Sequence, residues 1–298
     1  MWTAPVCALL LQIALGCAAA LLARRAKVAA LILAAVSFFG APWLAGPIPL
    51  LRAFSALLGW VGMFRIVDTV RSREPWSASR RLLHVMSFVD SRTLRRAPPR
   101  VDLLALGGGL LWAALAAAAL YVAVALSPSS LSRLSPRLLA RWASGLVLAY
   151  AAVEAGYAFV FVSYRALGFP TPRLHILPLA SVSVAELWGA RWSRPVSMWL
   201  HQTCFRPLAR LGYPALGVVL GFVVSAIGHA YPIFVAIGLP MAAWMFAFFF
   251  AQGLFVVLEA RLGAPRWPRA ARRGWTITLM IASSPLFVEP ALRALGLS

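Results

Sequence analysis

The chain has 298 residues, 62% of them apolar and only 12% charged, with a mean hydropathy of +0.83 and a formal net charge of +20. Ordinary soluble domains are about 45–50% apolar and about 25% charged, so the composition excludes a soluble globular protein and makes lipid the main solvent. A β-barrel is excluded too, because its strands alternate apolar and polar residues over about ten positions, whereas Leu216–Ala226 and Ala242–Phe250 are apolar on every face.

A bilayer core takes about 20 apolar residues per helical crossing. In chain order the pattern predicts crossings near residues 4–22, 28–46, 49–69, 102–126, 142–162, 212–235, 237–258 and 275–296, with Pro and Gly punctuating the joins. The predicted fold is therefore all-α: a polytopic helical bundle of about eight transmembrane helices forming one membrane domain over 1–298. Met1–Cys17 lacks the basic stretch that opens a signal peptide, and it reads as the first crossing, uncleaved. Cys7, Cys17 and Cys204 have neither metal-ligand spacing nor the even count of a disulfide framework, so no metal site is expected. Gly107–Gly109 lies inside an apolar run and lacks the Gly-Lys-Ser/Thr of a phosphate-binding loop.

Position explains the charge. With the N-terminus outside, 22 of the 28 basic residues fall in the segments 23–27, 71–100, 163–211 and 261–274, all on one side. Arg133, Arg137 and Arg141 fall in the loop opposite, and Arg52, Arg65 and Arg293 lie at or near span ends. The positive-inside rule then places the large basic loops in the cytoplasm and accounts for the charge without nucleic acid. The same loops are also suited to anionic lipid headgroups or to the phosphates of a cytosolic substrate. Near-exclusive use of Arg over Lys, with abundant Ala, points to a high-GC bacterial source and hence to the cytoplasmic membrane.

Residues 178–211 break the pattern: they are too polar to cross, yet rich in tryptophan. Trp188, Trp192, Val196 and Trp199 follow helical spacing on one face, and Glu186, Ala190, Ser193, Ser197 and His201 follow it on another. This predicts an amphipathic helix at the cytoplasmic boundary, with Pro195 either kinking it or opening a second piece. Downstream, His229 is the one histidine deep in an apolar run. Such a residue faces a bundle interior or a watery cavity, where it either bonds across helices or serves a site. Gly217, Gly221, Ser225 and His229 recur every four residues, a small-residue face that aims the imidazole inward. Arg65 and Asp68, three apart, read as a local ion pair, Glu259 as the cap of its own span, and mid-span Glu154 as structural or tunnel-lining.

The segment Glu186–Leu208 resembles the signature of membrane-bound O-acyltransferases, in particular their wax-synthase branch, through Leu187-Trp188, Arg191-Trp192, Ser197, Trp199-Leu200 and Phe205-Arg206-Pro207-Leu208. Phe222-x-x-Ser225-x-x-x-His229 is similar to the family's Phe-x-x-Ser-Gly-x-x-His element, and Gln252-Gly253 with Glu259 to its Gln-Gly followed by Glu. The resemblance covers roughly 180–260. The chain departs from the pattern at Ser193, where the family usually has Asn or His, and at Ala226, where it has Gly.

The resemblance implies acyl transfer from a thioester to the hydroxyl of a lipophilic alcohol, with acyl-CoA as co-substrate, no other cofactor, and His229 as the base. Ser193 stands at the second catalytic position. Trp188, Arg191, Trp192, Arg194, Ser197, Trp199, His201 and Ser225 are implied to line the substrate site, with the CoA phosphates near Arg191, Arg194 or Arg206. Two alternatives stay open: a proton-coupled transporter using Glu154 and His229, and a catalytically inactive lipid-binding relative, suggested by Ser193. The orientation is directly testable. A cysteine placed near residue 85 should react with an impermeant reagent only from the cytoplasmic side, and labelling only from outside would reverse the topology.

Overall fold

A computed structural model describes residues 3–126 and 135–297, and within them the chain is helical with no strands. Among the described residues seven helices are long and apolar enough to cross a bilayer, or eight with one bent pair counted as a span. Helix α1 spans Thr3–Leu22, α2 Lys27–Phe39, α3 Pro49–Arg71, α4 Ala78–Met86, α5 Leu103–Ala125 and α6 Pro136–Ala166. The short boundary helices α7 (Val184–Glu186), α8 (Arg194–Leu200) and α9 (Arg206–Arg210) precede the long α10 (Pro214–Ile237) and α11 (Leu239–Arg261). The chain ends with α12 (Arg269–Ser283) and α13 (Pro285–Ala294).

The last expected crossing is two helices meeting at a bend of 41°. Pro285 has no N–H to continue the ladder, and the Ser283 and Ser284 hydroxyls donate back to the carbonyls of Leu279 and Ile281 at 2.7 and 2.8 Å. Helix α6 also departs from expectation. It begins at Pro136 behind Ser135, whose hydroxyl accepts from Leu138 N, and its 31 residues make a rod of about 46 Å. Arg137 and Arg141 are thus helical residues and not loop residues, while Arg133 lies outside the described residues. Arg141 is fully buried beside Glu289, 3.5 Å away and equally buried. Its guanidinium also donates to the carbonyls of Ala123 and Leu297, and Glu289 accepts from Trp142 and Arg293. A buried charge persists only when paired and hydrogen-bonded, and this group ties α5, α6 and α13 together.

The basic segments gather at the other end. Arg81 donates to the Ala20 carbonyl at the end of α1, Ala97 N to the Gly168 carbonyl, Arg71 to Thr203 Oγ1, and Arg273 to the Leu179 carbonyl. Segments distant in sequence thus share one end of the bundle.

The boundary segment is not one continuous amphipathic helix but two pieces, with Pro195 in the first turn of the second, one of the two arrangements expected. Helix α7 runs into a π-helical turn, Leu187–Arg191; then Trp192 is extended and Ser193 takes the left-handed conformation at φ 40° before Pro195 helps open α8. A further π turn, His201–Phe205, joins α8 to α9. The preceding loop holds the break in place. Ile176 N donates to the Arg191 carbonyl, Arg194 N to the Leu174 carbonyl, and Ser193 N to His175 Nδ1 at 3.1 Å, with the His175 ring against Trp192 at 4.4 Å.

Helix α3 reaches α10 through one tight contact. A Cβ added at Gly228 would overlap the Trp60 indole, so the two helices meet there only because Gly228 has no side chain. Gly228→Ala should cost about 1–3 kcal/mol by overpacking, read as a lower thermal midpoint in detergent. Gly156, with nothing within 4 Å, is the control, and an equal loss in Gly156→Ala would show that the Trp60 contact is not the cause.

Burial pushes the His175 imidazole down from 6.5 to about 4. Between those values the imidazole is neutral when folded and charged when unfolded. Its stabilising contribution is therefore complete above pH 6.5 and is lost as the pH falls toward about 4. The thermal midpoint should drop over that window in the native protein and drop less in His175→Gln. Identical pH profiles would show that His175 does not carry the dependence.

Candidate functional site

The two boundary pieces, α10 and α11 enclose a chamber of about 350 Å³, within the usual range for small-molecule sites. Its walls come from both faces read in the sequence. Trp188, Trp192 and Val196 line it together with Ser193, Ser197 and His201, because the break at 192–193 turns the second piece relative to the first. From α10 come Gly217, Gly221, Phe222, Ser225 and His229, and from α11 Phe249 and Val256. The small-residue face of α10 does point inward, and its partner is the boundary segment: a Cβ at Gly217 would stand 2.9 Å from the Phe205 carbonyl.

His229 is held on two sides. Its Nδ1 lies 2.8 Å from the Ser225 carbonyl one turn earlier, and a carbonyl can only accept, so Nδ1 carries the proton and Nε2 keeps its lone pair. The ring stacks on Phe249 with centroids 3.9 Å apart and planes 27° from parallel. No described residue hydrogen-bonds Nε2. With Nδ1 committed to Ser225, Nε2 is the nitrogen that a neutral imidazole would offer in this largely apolar chamber as acceptor of a hydroxyl proton.

The boundary segment that walls this histidine is placed mostly by polar groups of α11. The Glu259 carboxylate accepts from Val184 N at 2.8 Å and Ala185 N at 3.2 Å. It therefore caps the boundary segment, not its own span. Gln252, fully buried, accepts from Trp188 Nε1 at 3.2 Å and donates to Ser283 Oγ at 3.0 Å. Gly253 lets α10 come close, since a Cβ there would be 2.8 Å from that of Phe222. The Gln-Gly and Glu singled out by resemblance hold the chamber together and do not line it.

Seven of the ten expected site residues are brought together here: His229, Ser193, Trp188, Trp192, Ser197, His201 and Ser225. Their roles differ. The Ser197 hydroxyl donates to the Gly189 carbonyl at 2.8 Å, bridging the two boundary pieces, and His201 stacks on Phe205 at the exposed rim. The other three are elsewhere. Arg191 is paired with Glu186 at 2.7 Å and bonds the Ile176 carbonyl, so its charge is spent on folding the segment. Arg194 and Arg206 line neither this chamber nor the second one beyond the Ser193 break. Trp199 points away from His229, stacks on Phe64 at 4.0 Å, and belongs to a second chamber.

Sequence reasoning did not single out Phe249 or His175. Phe249 sits in the run Phe248–Phe250, where spacing alone does not say which ring meets His229. His175 is a loop residue whose link to Ser193 depends on how the loop folds back. Neither the protein-family models nor the curated proteins give a match to this chain.

Proposed function

We propose that this protein is a membrane-embedded O-acyltransferase that moves an acyl group from a thioester, acyl-CoA, to the hydroxyl of a lipophilic alcohol. The observation that carries the reading is His229 Nε2, unpaired and held by the Nδ1 bond to Ser225 in a chamber walled by the tryptophan-rich boundary segment. In the reaction the alcohol oxygen attacks the thioester carbonyl, the C–O bond forms and the C–S bond breaks. Nε2 takes the hydroxyl proton and returns it to the departing thiolate, so the products are an ester and a free thiol. Ser193 and Ser225 lack the strained Gly-x-Ser-x-Gly elbow of acyl-enzyme hydrolases, which favours direct transfer. The apolar walls suit two lipophilic chains. In this reading the acyl-CoA phosphates stay outside the chamber, at the basic end of the bundle.

The protein lies in a cytoplasmic membrane, bacterial by composition, with its N-terminus outside and its basic loops in the cytoplasm; the charge asymmetry supports this placement. A transport pathway through Glu154 and His229 has less support, because Glu154 lines neither chamber.

Purified protein given radiolabelled acyl-CoA and a panel of alcohols should form ester. His229→Ala should lower the rate by about 10²–10⁴-fold, the usual contribution of a positioned general base. Equal rates in the two proteins would remove His229 from the mechanism. No ester from any alcohol, with solute flux in vesicles, would favour transport, and neither activity would favour an inactive lipid-binding relative.

A further inference from the structure

On the far side of the Ser193 break lies the second chamber, also about 350 Å³, and Ser193 and Val196 line both. One turn of backbone therefore separates the His229 chamber from a space of different chemistry. Arg65 pairs across the chamber with Asp90 and not, as its spacing suggested, with Asp68 three residues on. Arg65 lies 3.6 Å from Asp90, and Arg92 Nη2 lies 2.6 Å from both Asp68 and Asp90. His84 stands 3.8 Å from each carboxylate. The side chains of Arg65, Asp68 and Asp90 are only 11–13% exposed.

Two features indicate what this chamber accepts. First, Arg65 and Trp199 both line it, and Arg65 Nε and Trp199 Nε1 are buried without a hydrogen-bond partner among the described residues. Buried N–H donors are nearly always satisfied, and two in one lining call for acceptor oxygens. Second, the charges cancel, two arginines against two aspartates, and both carboxylates line the chamber. A phosphate would meet those carboxylates, and a purely apolar guest would leave the N–H groups unmet. The stacked Phe64 and Trp199 rings add a flat apolar wall.

We propose that the second chamber binds the uncharged, polyhydroxylated head of an amphiphile, a sugar or polyol. Its oxygens accept from Arg65 Nε and Trp199 Nε1, its hydroxyls donate to Asp68 and Asp90, and its apolar face lies on the aromatic pair. The proposal deepens the acyl-transfer reading and rests on it for one point, that the amphiphile whose head binds here is the alcohol esterified at His229.

The test uses the protein in lipid nanodiscs free of glycosidic detergent, with radiolabelled octyl glucoside, octanol and octyl phosphate below their micellar concentrations. Octyl glucoside should bind saturably and at least about tenfold more tightly than the other two. Trp199→Phe, which keeps a stacking ring and removes the N–H, should weaken it roughly three- to tenfold, the range for one hydrogen bond. Asp90→Asn should weaken it similarly. Tighter binding of octyl phosphate, equal binding of octanol, or no effect of Trp199→Phe would overturn the proposal. Glucoside binding without ester formation would remove the acyl-transfer reading alone, and ester from octanol without glucoside binding would remove the headgroup site alone.

Discussion

Glu259 sits at the end of α11 with 4% of its surface exposed, and its two oxygens receive the first backbone N–H groups of the boundary segment. A buried carboxylate needs such donors, and a helix start has N–H groups without intrahelical partners. Each side therefore satisfies the other, and the segment is anchored at one point on α11. From that point Trp188 falls one turn on, within reach of Gln252, and Trp192 falls at the break. The chamber is what remains between the anchored segment and the glycine face of α10.

The break itself is held by a second set of contacts. A serine in the left-handed region is strained relative to ordinary backbone, and here the strain is offset by the Ser193 N–H bond to His175 and by the backbone bonds that flank it. Straightening the segment into one helix would return Ser193, Ser197 and His201 to a face opposite the tryptophans and would empty the His229 chamber of half its polar lining. The break also makes two chambers out of one groove, with opposite character: apolar around His229, and polar with balanced charge beneath Arg65 and Asp90.

The two ends of the bundle are held by different means. At one end a buried ion pair, Arg141 with Glu289, joins three helices. At the other, arginine side chains cap carbonyls across segments far apart in sequence. Between them the helices meet through small residues, as at Gly228 under Trp60, because lipid supplies little hydrophobic drive between spans and close packing must do the work.

The helical spans are legible in the chain alone, because solvent acts residue by residue and twenty apolar positions can be read without knowing any neighbour. The chain alone determined that His229 faces inward, since the four-residue spacing of Gly217, Gly221 and Ser225 is a local property of one helix. It also marked 178–211 as unable to cross. Packing between helices set the rest: this stretch breaks at Ser193, Glu259 caps a segment 75 residues away, and Arg191 and Arg141 are consumed in ion pairs. It alone chose Phe249 from three neighbouring rings and paired Arg65 with Asp90. Each of these depends on which side chains meet across helices, and periodicity along one helix carries no information about its partner.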